Sequence, residues 1–289
     1  MRTIRTIAEL RAHLAGARAA GRTIGLVPTM GAFHAGHHSL IRAARDAHDE
    51  LVVSLFVNPA QFDEAADLAA YPRDEAKDAA EAQALGADVL FAPRAEEIYP
   101  AGFATTVHIA GLTEALEGAH RGAGHFDGVC TVVAKLLNIV APDAAYFGQK
   151  DAQQVAVVRR LVRDLDLPAR IEVLPTVRDP DGVALSSRNV LLSAPERERA
   201  RALSRGLRAA AALVAAGERD ADALTEAARA ELAGAAVTAD YVALVDPDSF
   251  EPLARLDGPA VLAVAARVGA VRLIDNVPLE PVGAPVATG

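Results

Sequence analysis

Cysteine and tryptophan are the scarcest residue types in the chain, with one cysteine and no tryptophan among 289 residues. A single cysteine, Cys130, excludes an intramolecular disulfide. It lies beside the apolar face of a periodic segment, and no base is placed to activate it. This setting predicts a small buried thiol rather than a nucleophile.

Long hydrophobic runs are also missing, because no stretch approaches the ~18 consecutive apolar residues of a membrane-spanning helix. The first residues, Met1 to Arg5, are not followed by the apolar segment of a secretory signal. We therefore expect a soluble, cytoplasmic protein with no membrane partner.

Positive charge is in deficit, since 29 lysines and arginines face 38 aspartates and glutamates and give a net charge of −9. A basic surface is the usual footprint of nucleic-acid binding, so this balance argues against a nucleic-acid partner. It leaves ATP possible, because a nucleotide pocket needs only local positive groups and a metal ion. The length suits one large domain or two modest ones.

What the chain does contain is an alternation of short apolar runs and amphipathic segments up to Pro175, which is typical of an α/β, doubly wound parallel sheet. The predicted strands are 23–27, 51–57, 88–93, 144–147 and 171–175, with a further strand at 105–109. The predicted helices are 7–20, one beginning near His37 or His38, 74–85, one covering 129–140, and 152–164.

The pattern changes after Thr176, where two long helices are followed by a group of strands. The helices are predicted at 194–216 and 221–233, and the strands at 239–245, 260–268 and 271–274. This order predicts a separate, smaller α+β domain. The predicted domains are therefore 1–176 and 177–289, with no pattern after Pro278.

The most informative stretch joins the first apolar strand to the next helix and contains the pattern H-x-G-H, with His34 and His37 on either side of Gly36. Unpaired N–H groups and the helix dipole favour an anion at such a turn, and two imidazoles add donors to a phosphate. Two surface histidines in a loop are the alternative. A zinc pair fits less well, because the metalloprotease pair has i, i+4 spacing with an intervening Glu.

Other polar groups are predicted at strand ends or near the domain boundary. Lys150 begins a helix, where a cation is unfavourable unless an anion joins it. The Ser186-Ser187-Arg188 triplet offers hydroxyls and a guanidinium to phosphate oxygens. Gln61 and Gln154 are amides suited to hydroxyls and a carboxylate. Each group can also be an ordinary solvated side chain.

Asp78 supplies a carboxylate of the kind that holds magnesium together with substrate phosphates. It lies among other acidic residues, so a solvated helix face is an equal alternative.

Six motifs occur in the order and spacing of one enzyme family. They are P-T-M-G-x-x-H-x-G-H (28–37), F-V-N-P-x-Q-F (56–62), Y-P-R (71–73), H-F-x-G-V (125–129), F-G-x-K-D-x-Q-Q (147–154) and L-S-S-R-N (185–189). From about Pro28 to Asn276 the chain resembles the pantothenate synthetases, which belong to the H-I-G-H nucleotidylyltransferase superfamily. The resemblance implies a Rossmann-like fold of the nucleotidylyltransferase type.

The resemblance implies a two-step ligase using ATP and Mg²⁺. Pantoate's carboxylate attacks the α-phosphate of ATP and releases pyrophosphate. The amine of β-alanine then attacks the acyl adenylate and releases AMP. No protein nucleophile is needed, so catalysis would rest on positioning and charge stabilisation, with a second domain keeping water from the adenylate. A homodimer is implied by the resemblance alone.

The family's pattern also implies roles for particular residues. The catalytic positions are His37, as proton donor, His34 and Lys150. The ATP positions are Met30, Gly31, His34, Gly36, His37, Gly148, Gln149, Lys150, Asp151, Val177, Leu185, Ser186, Ser187 and Arg188. The pantoate positions are Pro28, Met30, Gln61 and Gln154, with Gln61 also at β-alanine, and Asp78 falls at the metal position.

The chain departs from the family's pattern in four places. Gln149 replaces a frequent Glu, Leu185 replaces a frequent Met, and His38 stands where an apolar residue is usual. Lys77 precedes Asp78 where an acid is often found, which weakens the metal assignment because a lysine repels a cation.

Three other functions compete with the ligase. A nucleotidyltransferase that stops after transferring AMP or CMP predicts no amide product. A non-catalytic nucleotide-binding module predicts that His37 and Lys150 are dispensable. A transfer-RNA-charging relative is disfavoured by the acidity of the chain and by the lack of an anticodon-binding domain.

Overall fold

A computed structural model describes residues 1–62 and 65–281 of the chain. Contacts divide it into two units, a first unit of 1–148 and 157–175 and a second unit of 149–156 and 176–289. The segment Gln149–Ala156 precedes the predicted boundary at 176 but groups with the second unit. One cause is a set of hydrogen bonds between the turn at Gln149 and Lys150 and the side chain of Asn276.

A six-stranded, fully parallel sheet forms the centre of the first unit, in the order β1-β4-β3-β2-β5-β6. The strands are β1 (Arg2–Ile4), β2 (Ile24–Thr29), β3 (Glu50–Leu55), β4 (Val89–Phe91), β5 (Ala144–Gly148) and β6 (Arg170–Leu174). The apolar runs of β2, β3 and β4 are buried on both faces, as expected for a sheet covered by helices on each side.

The helices up to the end of the parallel sheet vary widely in length. They are α1 (Ile7–Ala19), α2 (Ala35–Ala47), α3 (Ala65–Ala70), α4 (Glu75–Ala84), α5 (Ala95–Ile98), α6 (Glu117–Arg121), α7 (Ala123–Val140) and α8 (Ala152–Asp164). The strand order reverses between β2 and β5, because the chain runs from β2 to β3 on one side and places β5 on the other. Open α/β sheets bind ligands at the carboxyl ends of strands beside such a switch point.

The second unit contains a three-stranded antiparallel sheet and two long helices. The elements are α9 (Ala194–Ala215), α10 (Ala221–Gly234), β7 (Thr238–Val245), β8 (Ala260–Val268) and β9 (Val271–Leu279), with sheet order β7-β8-β9. Leucines from both helices and from the sheet, including Leu203, Leu224 and Leu262, form one buried apolar core. The predicted combination of a parallel α/β sheet and a smaller α+β region is confirmed.

Two predicted elements differ from the structure near the parallel sheet. The strand predicted at 105–109 is wrong, because this segment has no strand pairing and the N–H of Val107 donates to Oγ1 of Thr131 on α7 at 3.0 Å. One edge of the sheet is instead β1, a three-residue strand too short to leave a pattern in the sequence. The helix predicted to begin near His37 or His38 begins two or three residues earlier, at Ala35.

Strand β9 is longer than predicted, because it continues past Ile274 to Leu279. Two buried polar residues, Asp275 and Asn276, interrupt the apolar pattern at that point. Residues 282–289, which fall in the stretch without pattern after Pro278, lie outside the described residues.

Cys130 is fully buried in α7, as predicted. Burial raises the pKa of its thiol to about 12, so the thiol is protonated at neutral pH and is not a nucleophile. No helix within the described ranges is both long enough and apolar enough to cross a membrane.

Candidate active site

The loop that leaves β2 at its carboxyl end, residues 29–34, holds the first part of the site. Oγ1 of Thr29 donates to the carbonyl of Ser54 on β3 at 2.7 Å and accepts the N–H of Gly31 at 3.3 Å, which ends the strand. The chain then turns with positive φ at two successive residues, Gly31 (87°) and Ala32 (53°). A left-handed alanine costs about 1–2 kcal/mol, so contacts from elsewhere must hold this turn.

His34 is the N-cap of α2, and its side chain explains why the helix begins at Ala35. Nδ1 of His34 accepts the N–H of Gly36 at 3.1 Å, and Nδ1 of His37 accepts the N–H of His34 at 3.4 Å. The helix also has a reciprocal capping box, in which the side chain of His34 accepts the N–H of His37 and the side chain of His37 accepts the N–H of His34; such boxes are usually built from Ser or Thr with Glu or Gln. Sequence reasoning missed this start because histidine is not a common N-cap residue.

The capping bonds also assign the proton on each imidazole. A neutral ring whose Nδ1 accepts a backbone N–H carries its own proton on Nε2. The two rings lie with their centroids 4.2 Å apart. The N-terminus of the 13-residue helix α2 therefore combines the positive end of its dipole with two Nε2–H donors from His34 and His37. This combination is suited to a phosphate group.

Asp78, the residue predicted as a metal ligand, lies on α4 and contacts the same loop. Its Oδ2 accepts the N–H of Ala32 and its Oδ1 accepts the N–H of Phe33, both at 2.9 Å. Only 1% of Asp78 is exposed. Among the residues that the structure describes, no group of three or more His, Cys, Asp or Glu side chains is arranged to hold a metal ion.

The loop after β3 carries Gln61, whose amide is oriented by a chain of hydrogen bonds. The hydroxyl of Tyr99 donates to Oδ1 of Asn58 at 2.8 Å, and Nδ2 of Asn58 donates to Oε1 of Gln61 at 3.1 Å. Nε2 of Gln61 then lies 2.9 Å from the sulfur of Met30. Burial raises the pKa of Tyr99 to about 12, so its hydroxyl is a donor at neutral pH. Tyr99 and Asn58 were not among the predicted site residues, because only contacts distant in sequence reveal them.

Helix α7 fixes the backbone of this loop from the other side. Gly128 approaches so closely that a Cβ on it would lie 2.1 Å from the carbonyl oxygen of Ala60, so only glycine fits. The carbonyl of Gly128 accepts a hydrogen bond from Nδ2 of Asn58 at 3.0 Å, and Nδ1 of His125 is 2.9 Å from the carbonyl oxygen of Gln61.

The first unit holds nine of the predicted site residues: Pro28, Met30, Gly31, His34, Gly36, His37, Gln61, Asp78 and, at the end of β5, Gly148.

In the second unit, Asn276 on β9 holds the turn that contains Lys150. Its Nδ2 donates to the carbonyls of Gln149 and Lys150, each at 2.9 Å, and its Oδ1 accepts Nε2 of Gln149 at 3.0 Å. Nζ of Lys150 lies 3.2 Å from Oδ1 of Asp151. Asn276 is buried and was also missed, because a polar residue near the end of a strand gives no signal of the turn it supports.

The Ser-Ser-Arg loop belongs to the same unit. The N–H of Leu185 donates to the carbonyl of Val177 at 3.0 Å, which brings together two of the predicted ATP positions. Oγ of Ser186 then accepts the N–H of Arg188 at 3.2 Å and caps a short 3₁₀ helix, Ser187–Leu191. The predicted positions in the second unit are therefore Gln149, Lys150, Asp151, Gln154, Val177, Leu185, Ser186, Ser187 and Arg188.

Comparison with known proteins gives the same family along nearly the whole chain. The family model described as pantoate-beta-alanine ligase matches residues 2–278. A pantothenate synthetase from Cereibacter sphaeroides is 54% identical over 276 residues, which are 96% of this chain and 99% of that protein. The pantothenate synthetase of Moorella thermoacetica is 52% identical over 97% of this chain and 99% of that protein.

Solved structures agree with the sequence comparison. The crystal structure of pantothenate synthetase from Thermus thermophilus has a TM-score of 0.91 and 46% identity, covering 97% of this chain and 100% of that chain. The pantoate-beta-alanine ligase of Francisella tularensis, complexed with beta-gamma ATP and beta-alanine, has a TM-score of 0.78 and 34% identity, covering 96% and 97%.

Proposed function

The chain belongs to the pantoate–β-alanine ligase family, and on that premise we propose that it joins pantoate to β-alanine with ATP. Pantoate's carboxylate attacks the α-phosphate to give pantoyl adenylate and pyrophosphate. The amine of β-alanine then attacks the acyl carbon, loses a proton and displaces AMP, which leaves pantothenate. The observation that carries this proposal is the pair of imidazoles at the N-terminus of α2, each with Nδ1 on a backbone N–H.

In the adenylation step, His34 and His37 donate from Nε2 to phosphate oxygens whose charge rises in the transition state. Such preorganised donors commonly account for a large share of a rate enhancement. The loop from Met30 to His37 binds ATP. The α2 dipole adds to the stabilisation because it points its positive end at the same place.

Residues of the second unit supply further ATP contacts in this proposal. Lys150 neutralises part of the triphosphate charge, and Arg188, with Ser186 and Ser187, binds phosphate oxygens. The remaining predicted ATP positions, Gly31, Gly36, Gly148, Gln149, Asp151, Val177 and Leu185, contact the nucleotide. We keep 1–176 as the ATP- and pantoate-binding domain and 177–289 as the smaller domain that carries the Ser-Ser-Arg loop.

Pantoate is bound by Gln61 and Gln154, with Pro28 and Met30 beside it, and Gln61 also contacts β-alanine. A neutral amide can both donate to a carboxylate and accept from a hydroxyl, which is what a hydroxy acid requires. The hydrogen bond from Asn58 to Oε1 of Gln61 supports this assignment, because it directs Nε2 as the donor.

Magnesium enters the proposal as the counterion of ATP. The predicted metal ligand, Asp78, has a buried carboxylate, and each of its oxygens already accepts a backbone N–H. The phosphates of ATP are then the main magnesium ligands. The metal role predicted for Asp78 remains untested. We also propose a homodimer in the cytoplasm, on the family resemblance alone.

Oxygen-18 labelling tests the proposed reaction. Pantoate labelled in its carboxylate is incubated with ATP, magnesium and β-alanine, and the products are analysed by mass spectrometry. We expect pantothenate, AMP and pyrophosphate in equal amounts, with one labelled oxygen in AMP, because the carboxylate oxygen bonded to the α-phosphate leaves with it. ADP and labelled phosphate would contradict an adenylate. AMP transfer without an amide product would favour the nucleotidyltransferase alternative.

A Tyr99→Phe variant tests the orientation of Gln61. Loss of the Tyr99 hydroxyl removes one of the hydrogen bonds that hold Asn58, which keeps its bonds to Ala60 and Gly128, so the side chain that orients Gln61 is held less firmly. We expect kcat/KM for pantoate to fall by about tenfold, the equivalent of a hydrogen bond worth about 1.4 kcal/mol, with KM for ATP unchanged. Steady-state kinetics with each substrate varied gives both values.

The matched control is Tyr146→Phe, which removes the hydroxyl that lies 3.1 Å from Nε2 of His48 in the same unit. It is expected to lower stability without changing either KM. If Tyr99→Phe behaved like this control, Tyr99 would have no part in substrate binding.

A further inference from the structure

Asp78 contributes its whole carboxylate to the backbone of the loop before α2. The N–H groups of Ala32 and Phe33 donate to its two oxygens at 2.9 Å each, and the side chain is 1% exposed. Hydrogen bonds from backbone N–H groups to a carboxylate are charge-assisted. Here burial also shields them from water, which makes the pair of bonds strong.

The loop has a shape that needs such a partner. Gly31 and Ala32 both have positive φ, a conformation that an L-residue adopts only when its surroundings determine it. A Cβ placed on Gly31 would lie 2.7 Å from Oδ2 of Asp78, so the carboxylate also packs against the glycine itself. The carboxylate of Asp78 is therefore packed against Gly31 and hydrogen-bonded to the two residues that follow it.

Helix α4 makes a second contact with the start of α2. One turn beyond Asp78, Oε2 of Glu81 lies 2.7 Å from Nε2 of His38, the residue after His37. Asp78 and Glu81, both on α4, therefore contact the chain on either side of the segment from His34 to His37.

The same geometry conflicts with a metal-binding role. Magnesium requires near-octahedral oxygen ligands at about 2.0–2.1 Å and usually keeps several waters, and a buried carboxylate leaves no room for them. Lys77, beside Asp78, is exposed and 3.9 Å from Oε1 of Glu81, so the neighbouring charges are already paired.

We propose that Asp78 is a positioning residue that fixes the backbone of Gly31–Phe33, and through it the imidazoles of His34 and His37, and that it does not bind magnesium. Its effect on the rate rests on the proposed function, because the rate that it controls is that of adenylation. Its effect on the loop does not. A displacement of reacting groups by about 1 Å can cost about 10²-fold in rate, so the loss of this support is large.

Asp78→Asn tests the proposal. The variant keeps the size of the side chain but turns one acceptor into an NH₂ group that faces a backbone N–H. We expect kcat to fall by about 10–100-fold. The magnesium concentration that gives half-maximal rate at fixed ATP is expected to stay within about twofold of the parent value. The control is Glu75→Gln, the same chemical change on an exposed acid of α4 that pairs with Arg5, and it should alter neither quantity.

Hydrogen–deuterium exchange gives a readout that does not depend on activity. The amides of Ala32 and Phe33 should exchange at least about tenfold faster in Asp78→Asn, because each bond that protects them is weakened. If the parent protein catalyses no pantoate-dependent reaction, the proposed function fails while this measurement still decides the role of Asp78.

Gly31→Ala repeats the test from the loop side if Asp78→Asn does not fold, since its Cβ would press on Oδ2 of Asp78 as well as on Cδ1 of Leu55. The same pattern is expected: a lower kcat, an unchanged magnesium requirement and faster exchange at Ala32 and Phe33. A magnesium requirement raised tenfold or more with unchanged amide exchange would overturn the proposal in favour of a metal ligand. Unchanged kcat and unchanged exchange would overturn it as well.

Discussion

Replacing His37 by alanine is expected to slow the formation of pantoyl adenylate by about 10²–10³-fold, the usual scale for one preorganised donor. The second half-reaction should depend on His37 much less, because AMP is already a good leaving group. Pyrophosphate exchange measures the first step. Supplying preformed pantoyl adenylate with β-alanine and following AMP release measures the second.

His34→Ser separates catalysis from helix capping. Serine is a good N-cap, so this variant keeps a cap on α2 but is too short to replace the Nε2 donor. We expect its melting temperature to be close to that of the parent protein. Its rate of pantoate adenylation should nevertheless be low. If the imidazoles served only as caps, His34→Ser would retain full activity. Equal loss of both half-reactions in His37→Ala, together with a much lower melting temperature, would likewise make His37 a structural residue.

Gln154→Ala is the second large expected effect. Its amide bonds the pantoate carboxylate in our proposal, and a hydrogen bond to a charged group is worth about 1.5–3 kcal/mol. The affinity for pantoate should therefore fall by about 10–150-fold, with the affinity for ATP little changed. Calorimetric titration with each ligand measures both.

The control for this variant is Gln83→Ala, on the exposed side of α4, which removes the same amide from a surface position. It is expected to bind both ligands as the parent does. Unchanged pantoate affinity in Gln154→Ala would remove Gln154 from the binding site.

The parts of the fold that were predictable have one physical origin, the periodicity of apolar residues. The run Leu51–Val57 predicts a buried strand because both faces of a parallel sheet are covered, and the strand is found at Glu50–Leu55. The amphipathic pattern of 152–164 and the apolar run 260–268 gave the bounds of α8 and β8 as the structure has them. Such patterns depend only on neighbours within the same element.

The features that were not predictable depend on contacts between distant residues. The start of α2 is set by an unusual histidine cap, and the alternation at 105–109 belongs to a segment that bonds Thr131 rather than a strand. The continuation of β9 contains Asp275, whose carboxylate is bound by two nitrogens of Arg178 at 2.5 and 2.9 Å. In a sequence these are polar interruptions, and only the folded chain shows their partners.

In the candidate site too, the sequence predicted the local features and missed the contacts between distant residues. The motifs identified the residue types, and the positions of His34, His37 and Gln61 at strand ends were expected from the sequence. The sequence could not show that Nδ1 of each histidine is a cap, nor that Tyr99 and Asn58 orient Gln61. It also could not show what the Asp78 carboxylate contacts, because its partners are backbone amides 45 and 46 residues away.

Exchange of labelled pyrophosphate into ATP, with pantoate and magnesium present and β-alanine absent, is the most direct test of the adenylate mechanism. Reversible formation of pantoyl adenylate predicts steady exchange that requires pantoate and stops when pantoate is left out. Exchange that occurs only after β-alanine is added, or no exchange in a preparation that makes pantothenate, would contradict a free-standing adenylation step.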